Sequence, residues 1–226
     1  MFYTPTKGPD GWKALLADPD KHWRKGYSAR SLAYCWEEAK GFPASVRTVL
    51  EKSGIPAQSA LEFVAGFPEH KVSFPPMHAQ PSQNDLFVLG RGSAGLVSIM
   101  VEGKVSEPFD RLVSEWKAEM SAGKQERLDY LCDLLQLNPA GIDGIPYQLL
   151  HRTASALIEA HRFAAPHALM LVHSFSQTQE HFGDYAAFAM LLGVDAAPES
   201  IVHVGTRGGK ELFLGWVTGE AEYLER

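Results

Sequence analysis

Hydrophobic and polar positions along the chain fall into segments of two periods. Residues 1–26 are rich in Gly, Pro, Lys and Asp and predict an irregular arm around a short helix near Gly11–Leu16. Helical spacing follows over Ala29–Lys40, with Ser28 as a candidate N-cap. It resumes over Pro43–Lys52, which opens on a proline and is stopped by Gly54. Ser59–Ala65 fits either period, and His70–Phe74 reads as a strand closed by Pro75 and Pro76. A polar loop leads to Asp85–Leu89, a short apolar strand. Gly90–Gly95 is a glycine-rich turn, and Leu96–Val105 has strong β propensity, so the pair reads as a hairpin. Phe109–Met120 and Lys124–Leu135 repeat apolar residues at helical spacing (Leu112, Val113, Trp116; Leu128, Leu131, Leu134, Leu135). Tyr147–Phe163, opened by Pro146, is the longest helix. His167–Phe175 is an apolar strand of the kind buried on both faces. A helix over Asp184–Leu192 and a second hairpin, Ile201–Val204 with Glu211–Val217, complete the chain.

This order predicts an α/β chain, a mixed sheet flanked by helices. The 226 residues suit one sizeable core, and the loops are too short to mark a domain boundary. The expected single domain has an arm and helices over 1–58, a central part over 59–176, and a C-terminal helix and hairpin over 177–226.

Candidate chemistry concentrates on the first hairpin. Strand side chains alternate faces, so Glu102 and Lys104 point the same way, about 7 Å apart along the strand. The turn folds the chain back antiparallel and brings Asp85 to the same open end. Two carboxylates beside a lysine suit a hard divalent cation, Mg²⁺ or Mn²⁺, which prefers oxygen ligands. Such a site hydrolyses phosphodiesters, with Lys104 orienting or deprotonating the water. An ordinary cross-strand salt bridge is the competing reading of Glu102 and Lys104. Gly90, Gly92 and Gly95 match a dinucleotide fingerprint, but the next residues, Leu-Val-Ser-Ile-Met-Val, are strand-forming. That fingerprint needs a helix at this point to bind pyrophosphate.

On the longest helix, Gln148, His151 or Arg152, Ser155 and Glu159 recur at offsets of three or four as one polar stripe. Arg152 is a candidate phosphate holder. His173 ends an apolar strand and is either a substrate contact or a satisfied core histidine. Glu69 is a further candidate ligand.

Asp85 followed by Glu102-Gly103-Lys104 on the next strand resembles the signature of the PD-(D/E)xK, or restriction-endonuclease-like, superfamily. The likeness covers roughly residues 60–176. It implies that fold, Mg²⁺ dependence, and a nucleic acid as partner. It also implies catalytic roles near the metal for Gln148 and His151 on the longest helix, and an acidic ligand from the early helix, Glu37 or Glu38. The family's usual proline before the aspartate is Asn84 here, and two helices are inserted after the motif strand. Pro81–Asp85, Val101–Val105 and Tyr147–Ala156 also resemble a family of uncharacterised bacterial proteins, which implies a shared fold without an activity.

Net charge of −6 argues against coating nucleic acid by bulk charge and leaves open a binding or assembly module of the same fold, including pairing with a second copy. No run approaches the roughly 20 apolar residues of a membrane span. Met1–Lys7 lacks the basic-then-apolar order of a signal peptide. Cys35 and Cys132 sit in apolar helical contexts and read as buried, reduced thiols, which points to a cytoplasmic protein.

Overall fold

A computed structural model describes residues 6–53, 60–77 and 79–226. The helix stop at Gly54 and the boundary between residues 58 and 59 lie outside the described residues. Six strands form one mixed sheet: β1 Glu62–Val72, β2 Ser82–Gly92, β3 Gly95–Lys104, β4 His167–Ser174, β5 Ser200–Arg207 and β6 Lys210–Thr218. Their order is β1-β2-β3-β4-β6-β5. β1, β2 and β3 run antiparallel. β3, β4 and β6 are parallel neighbours, and β5 returns antiparallel to β6. Helices α1 Ser28–Ala39 and α2 Ala44–Lys52 lie on one face; α3 Ala122–Leu135, α4 Tyr147–Arg162 and α5 Phe182–Leu191 lie on the other. The chain is therefore α/β, with a mixed sheet flanked by helices. Among the described residues, no helix is long and apolar enough to cross a membrane.

Alternation along the central strands explains the two cores. Leu86, Val88, Val97, Ile99 and Val101 pack with Leu32 and Trp36 of α1 and Val46 of α2. Phe87, Leu89, Met100, Met170 and Val172 pack with Leu150, Ala154 and Leu157 of α4. β3 and β4 are covered on both faces, which accounts for their nearly unbroken apolar runs.

Four local expectations change. β1 starts at Glu62, well before His70, because it is an edge strand and tolerates Pro68 in the ladder. The first hairpin turns on Ser93 and Ala94, since Gly92 pairs with Gly95. Gly90 is a ladder residue whose missing side chain makes room for Leu61; a Cβ there would meet it at 2.8 Å. Phe109–Met120 shrinks to one helical turn, Val113–Trp116, and a 3-10 turn, because Leu112 bridges to Pro146. Ser28 is inside α1 rather than its cap, and the Glu107 carboxylate accepts its backbone N–H at 2.9 Å.

Candidate functional site

The site is built where the ends of β1, β2 and β3 meet the first turns of α4. Leu86 pairs with Val101, which sets Asp85 opposite Glu102. Pro68 pairs with Leu86 and His70 with Asn84, which sets Glu69 opposite Asp85. Three carboxylates thus stand in a row across three strands. Glu69 takes a left-handed backbone, φ 51°, at this point. All three line a cleft of about 410 Å³ with Lys104, Gln148 and Arg152, and Lys21 and His22 from the N-terminal arm line it too.

Glu102 is 2% exposed, and a lone carboxylate so deep would cost several kcal/mol. It is fully engaged instead. One oxygen, Oε1, accepts from Gln148 Nε2 at 2.7 Å and meets Lys104 Nζ at 3.0 Å. The other, Oε2, accepts from Arg152 Nε. Gln148 Oε1 accepts in turn from Lys104 Nζ at 3.0 Å, which fixes the orientation of its amide. Burial pushes the Glu102 carboxyl up, but Arg152 and Lys104 outweigh it and hold the group below the usual carboxylate range.

Asp85 and Glu69 are not settled in this way. Asp85 Oδ2 accepts the Gly103 amide at 2.8 Å, and Glu69 Oε2 accepts from Gln83 Nε2 at 2.8 Å. Their second oxygens have no hydrogen bond among the described residues. Burial, followed by repulsion from Glu102, pushes Asp85 up to about 7. Burial, followed by repulsion from Asp85, pushes Glu69 up to about 8. The row sets three carboxylates against two cations, Lys104 and Arg152. Lys21 also lines the cleft, as do Glu107 and Asp110, so its carboxylates outnumber its cations.

The donors suit a hard divalent cation. They are carboxylate oxygens, two of them unshared, lining a cleft of about 410 Å³. The tighter group among the described residues is elsewhere: Cys35, His173 and Glu220 bring ligand atoms within 4.8 Å of one another. The three carboxylates of the row do not close to that spacing.

Asp85, Glu102, Lys104, Gln148, Arg152 and Glu69 are therefore brought together. His151 stands beside them on α4, one layer removed. Its Nδ1 meets Ser82 Oγ at 2.8 Å, and that hydroxyl accepts from Arg152 Nη1 at 2.9 Å. Burial, then Arg152 and other cations, hold the His151 ring well below its ordinary pKa, so it is neutral. His173 is not a substrate contact; of its two readings the structure bears out the satisfied core histidine. It pairs with Gly103 in the parallel register and projects to the α1 face, away from the cleft. It is 0% exposed and accepts from Trp36 Nε1 at 3.1 Å. Glu37 and Glu38 are also elsewhere. Glu37 accepts from Thr6 and Trp12, and Glu38 pairs with Arg226. Reading the polar stretch before Asp85 as a loop hid Ser82 and Gln83, which open β2. A period-2 count carried back from Phe87 through Asp85 to Gln83 would have found the latter.

A family model described as a domain of unknown function (DUF6946) matches residues 5–221. The chain belongs to that family. Comparisons with curated proteins and with solved structures give no match. The match spans the arm, all six strands and the cleft, so the site lies wholly within the family's domain.

Proposed function

We propose that this protein is a divalent-cation-dependent phosphodiesterase acting on nucleic acid, built on a PD-(D/E)xK-like arrangement. The observation that carries the proposal is the carboxylate row Glu69–Asp85–Glu102 with Lys104 two residues on, in a cleft whose carboxylates outnumber its cations. Support also comes from the sheet order, which sets the motif hairpin beside a parallel strand reached through α4.

Asp85 and Glu102 hold the cation, with Glu69 as a third oxygen source. Mg²⁺ or Mn²⁺ bound there supplies an acidified water and neutralises charge on the phosphate. Lys104, held by Gln148 and Glu102, would orient the attacking water by giving up its long contact to the Pro108 carbonyl at 3.4 Å. Gln148 bridges Lys104 and Glu102, so it positions the lysine. Arg152 holds Glu102 in the ligand geometry and has its second nitrogen on Ser82. Asp85 ionises on cation binding, so occupancy releases protons near pH 7.

The test is cleavage of single- and double-stranded DNA and RNA with Mg²⁺, Mn²⁺ or chelator. Metal-dependent product should fall by about 100-fold or more in Lys104→Met and Asp85→Asn. Undiminished cleavage in both variants would sink the assignment.

A second reading, a non-catalytic binding module of the same build, is favoured by one specific observation. Both Glu102 oxygens are already taken by Arg152, Lys104 and Gln148. Calorimetry with Mn²⁺ separates the two: the enzyme reading requires binding that Asp85→Asn abolishes.

A further inference from the structure

A second cavity, of about 310 Å³, opens on the other side of Gln148 and Arg152. It shares Gln83, Asp110, Gln148 and Arg152 with the acidic cleft, so the two are adjoining chambers. Its remaining polar lining is of opposite character. Arg127, Tyr147 and His151 face it, and none carries a negative charge.

Each of these groups is arranged to donate. Tyr147 is 6% exposed and its Oη is buried. The Arg127 guanidinium lies beside the phenol oxygen, close enough to donate to it, and the phenol proton has no acceptor among the described residues. Burial nevertheless pushes the phenol up, so it keeps its proton. Trp116 stacks on the Tyr147 ring at 4.3 Å and 11°, which fixes the ring and leaves its edge to the cavity. For His151 the tautomer follows from its neighbours. Ser82 Oγ accepts from Arg152, so its own proton goes to His151 Nδ1. The ring proton is then on Nε2, which has no partner among the described residues. Arg127 is anchored through Nη2 to the Gln80 carbonyl at 2.8 Å and over the Phe74 ring at 5.5 Å. The exposed carboxylate of Asp110 lines both chambers and is the one opposing charge.

We infer that this chamber binds the terminal phosphate monoester of a nucleic acid strand, so that the adjoining acidic cleft acts near a strand end. This rests on the proposed phosphodiesterase reading and names its substrate class. A buried phenol whose proton has no acceptor is costly and marks a group waiting for one. Tyr147 Oη, His151 Nε2 and Arg127 all line the one cavity and can donate, in keeping with the three terminal oxygens and the charge near −2 of a monoester. A chain phosphodiester has only two free oxygens and one charge. With a net charge of −6, the protein lacks the bulk field for tracking along a backbone, and a local anchor suits it better.

The test is binding in the presence of chelator, followed by polarisation of 3′-labelled and 5′-labelled oligonucleotides. Each is prepared with a phosphate or a hydroxyl at its unlabelled end. The phosphate-ended strand of one polarity should bind about tenfold more tightly. Tyr147→Phe and Arg127→Ala should remove that difference and leave hydroxyl-ended binding unchanged. Tyr147→Phe keeps the stack on Trp116, so its result does not hinge on folding. Equal affinity for the two ends, or a preference that survives both substitutions, overturns the inference. An end preference without metal-dependent cleavage would leave this chamber standing and remove the phosphodiesterase reading. Cleavage without an end preference would do the reverse.

Discussion

At the ends of β3 and β4 the two faces of one sheet carry two polar clusters, and they differ in how their charges are settled. On the α1 face, Trp36 Nε1 donates to His173 Nδ1, and His173 Nε2 lies 3.4 Å from Ser45 Oγ. Ser45 Oγ and Cys35 Sγ then donate to Glu220 Oε2, and the Ser45 amide donates to Oε1. Indole nitrogen can only donate, so His173 must present a bare Nδ1 and carry its proton on Nε2. That proton blocks a metal at Nε2, although Cys35, His173 and Glu220 have ligand spacing. One carboxylate there has three donors. On the α4 face, three carboxylates share two cations, and two of them are pushed up by burial and by each other. A satisfied cluster is structure. An unbalanced one has a vacancy for charge, and that separates the two more sharply than residue type does, since the histidine and cysteine are in the inert cluster.

The largest effect should come from removing the cation that settles Glu102. Arg152→Met leaves a buried carboxylate with Lys104 alone, and should lower unfolding free energy by about 3–5 kcal/mol in urea titration. Adding Glu102→Gln to it should recover a good part of the loss, because the uncompensated charge goes with it. Should the double variant be as unstable as the sum of the two singles, Arg152 matters for packing and the charge contrast between the faces fails.

A smaller effect concerns pH. Asp85 and Glu69 have folded pKa values raised to about 7 and about 8. The unfolded chain ionises these groups near pH 4. Their contribution is therefore fully present below about pH 4 and is lost as pH rises through 7 to 8. Asp85→Asn should stabilise the protein increasingly from pH 5 to pH 8, by roughly 2 kcal/mol at the upper end after allowance for its partial exposure. That corresponds to several degrees in the melting temperature. Saturating Mg²⁺ should stabilise the unsubstituted protein over the same window and leave Asp85→Asn unmoved. A pH-flat difference between the two proteins would mean that Asp85 is not under charge stress.

How much of this could be read from the chain follows the same divide. Alternation along β3 and the antiparallel turn brought Asp85, Glu102 and Lys104 together, because strand parity is a local property. The polar stripe on α4 named Gln148 and Arg152 for a similar reason. Glu69 was harder. Its place opposite Asp85 depends on β1 running through Gly66 and Pro68, residues that normally end a strand and are tolerated here at a sheet edge. His173 was misplaced because parity says only that it faces away from Val172, while the face that holds the site depends on long-range packing. The second chamber was invisible for the same reason. Ser82, Arg127 and Tyr147 come from three elements far apart in sequence. Nor does the chain reveal that the buried Tyr147 proton has no acceptor among the described residues, which follows from the assembled core.

The smallest effect sharpens the comparison from its quiet side. Ser45→Ala removes the hydroxyl between His173 and Glu220 while the Ser45 backbone N–H still donates to Glu220. The loss should be about 1 kcal/mol, the usual net value of one hydrogen bond. It should also be the same at pH 5 and pH 8, because burial holds His173 down to about 3 and keeps it neutral throughout that range. Divalent cations should not alter it. A loss that grew toward pH 5, or that Zn²⁺ reversed, would show that His173 takes up a proton or a metal when its neighbour is removed. The α1-face cluster would then be a second frustrated site, and the contrast between the two faces would dissolve.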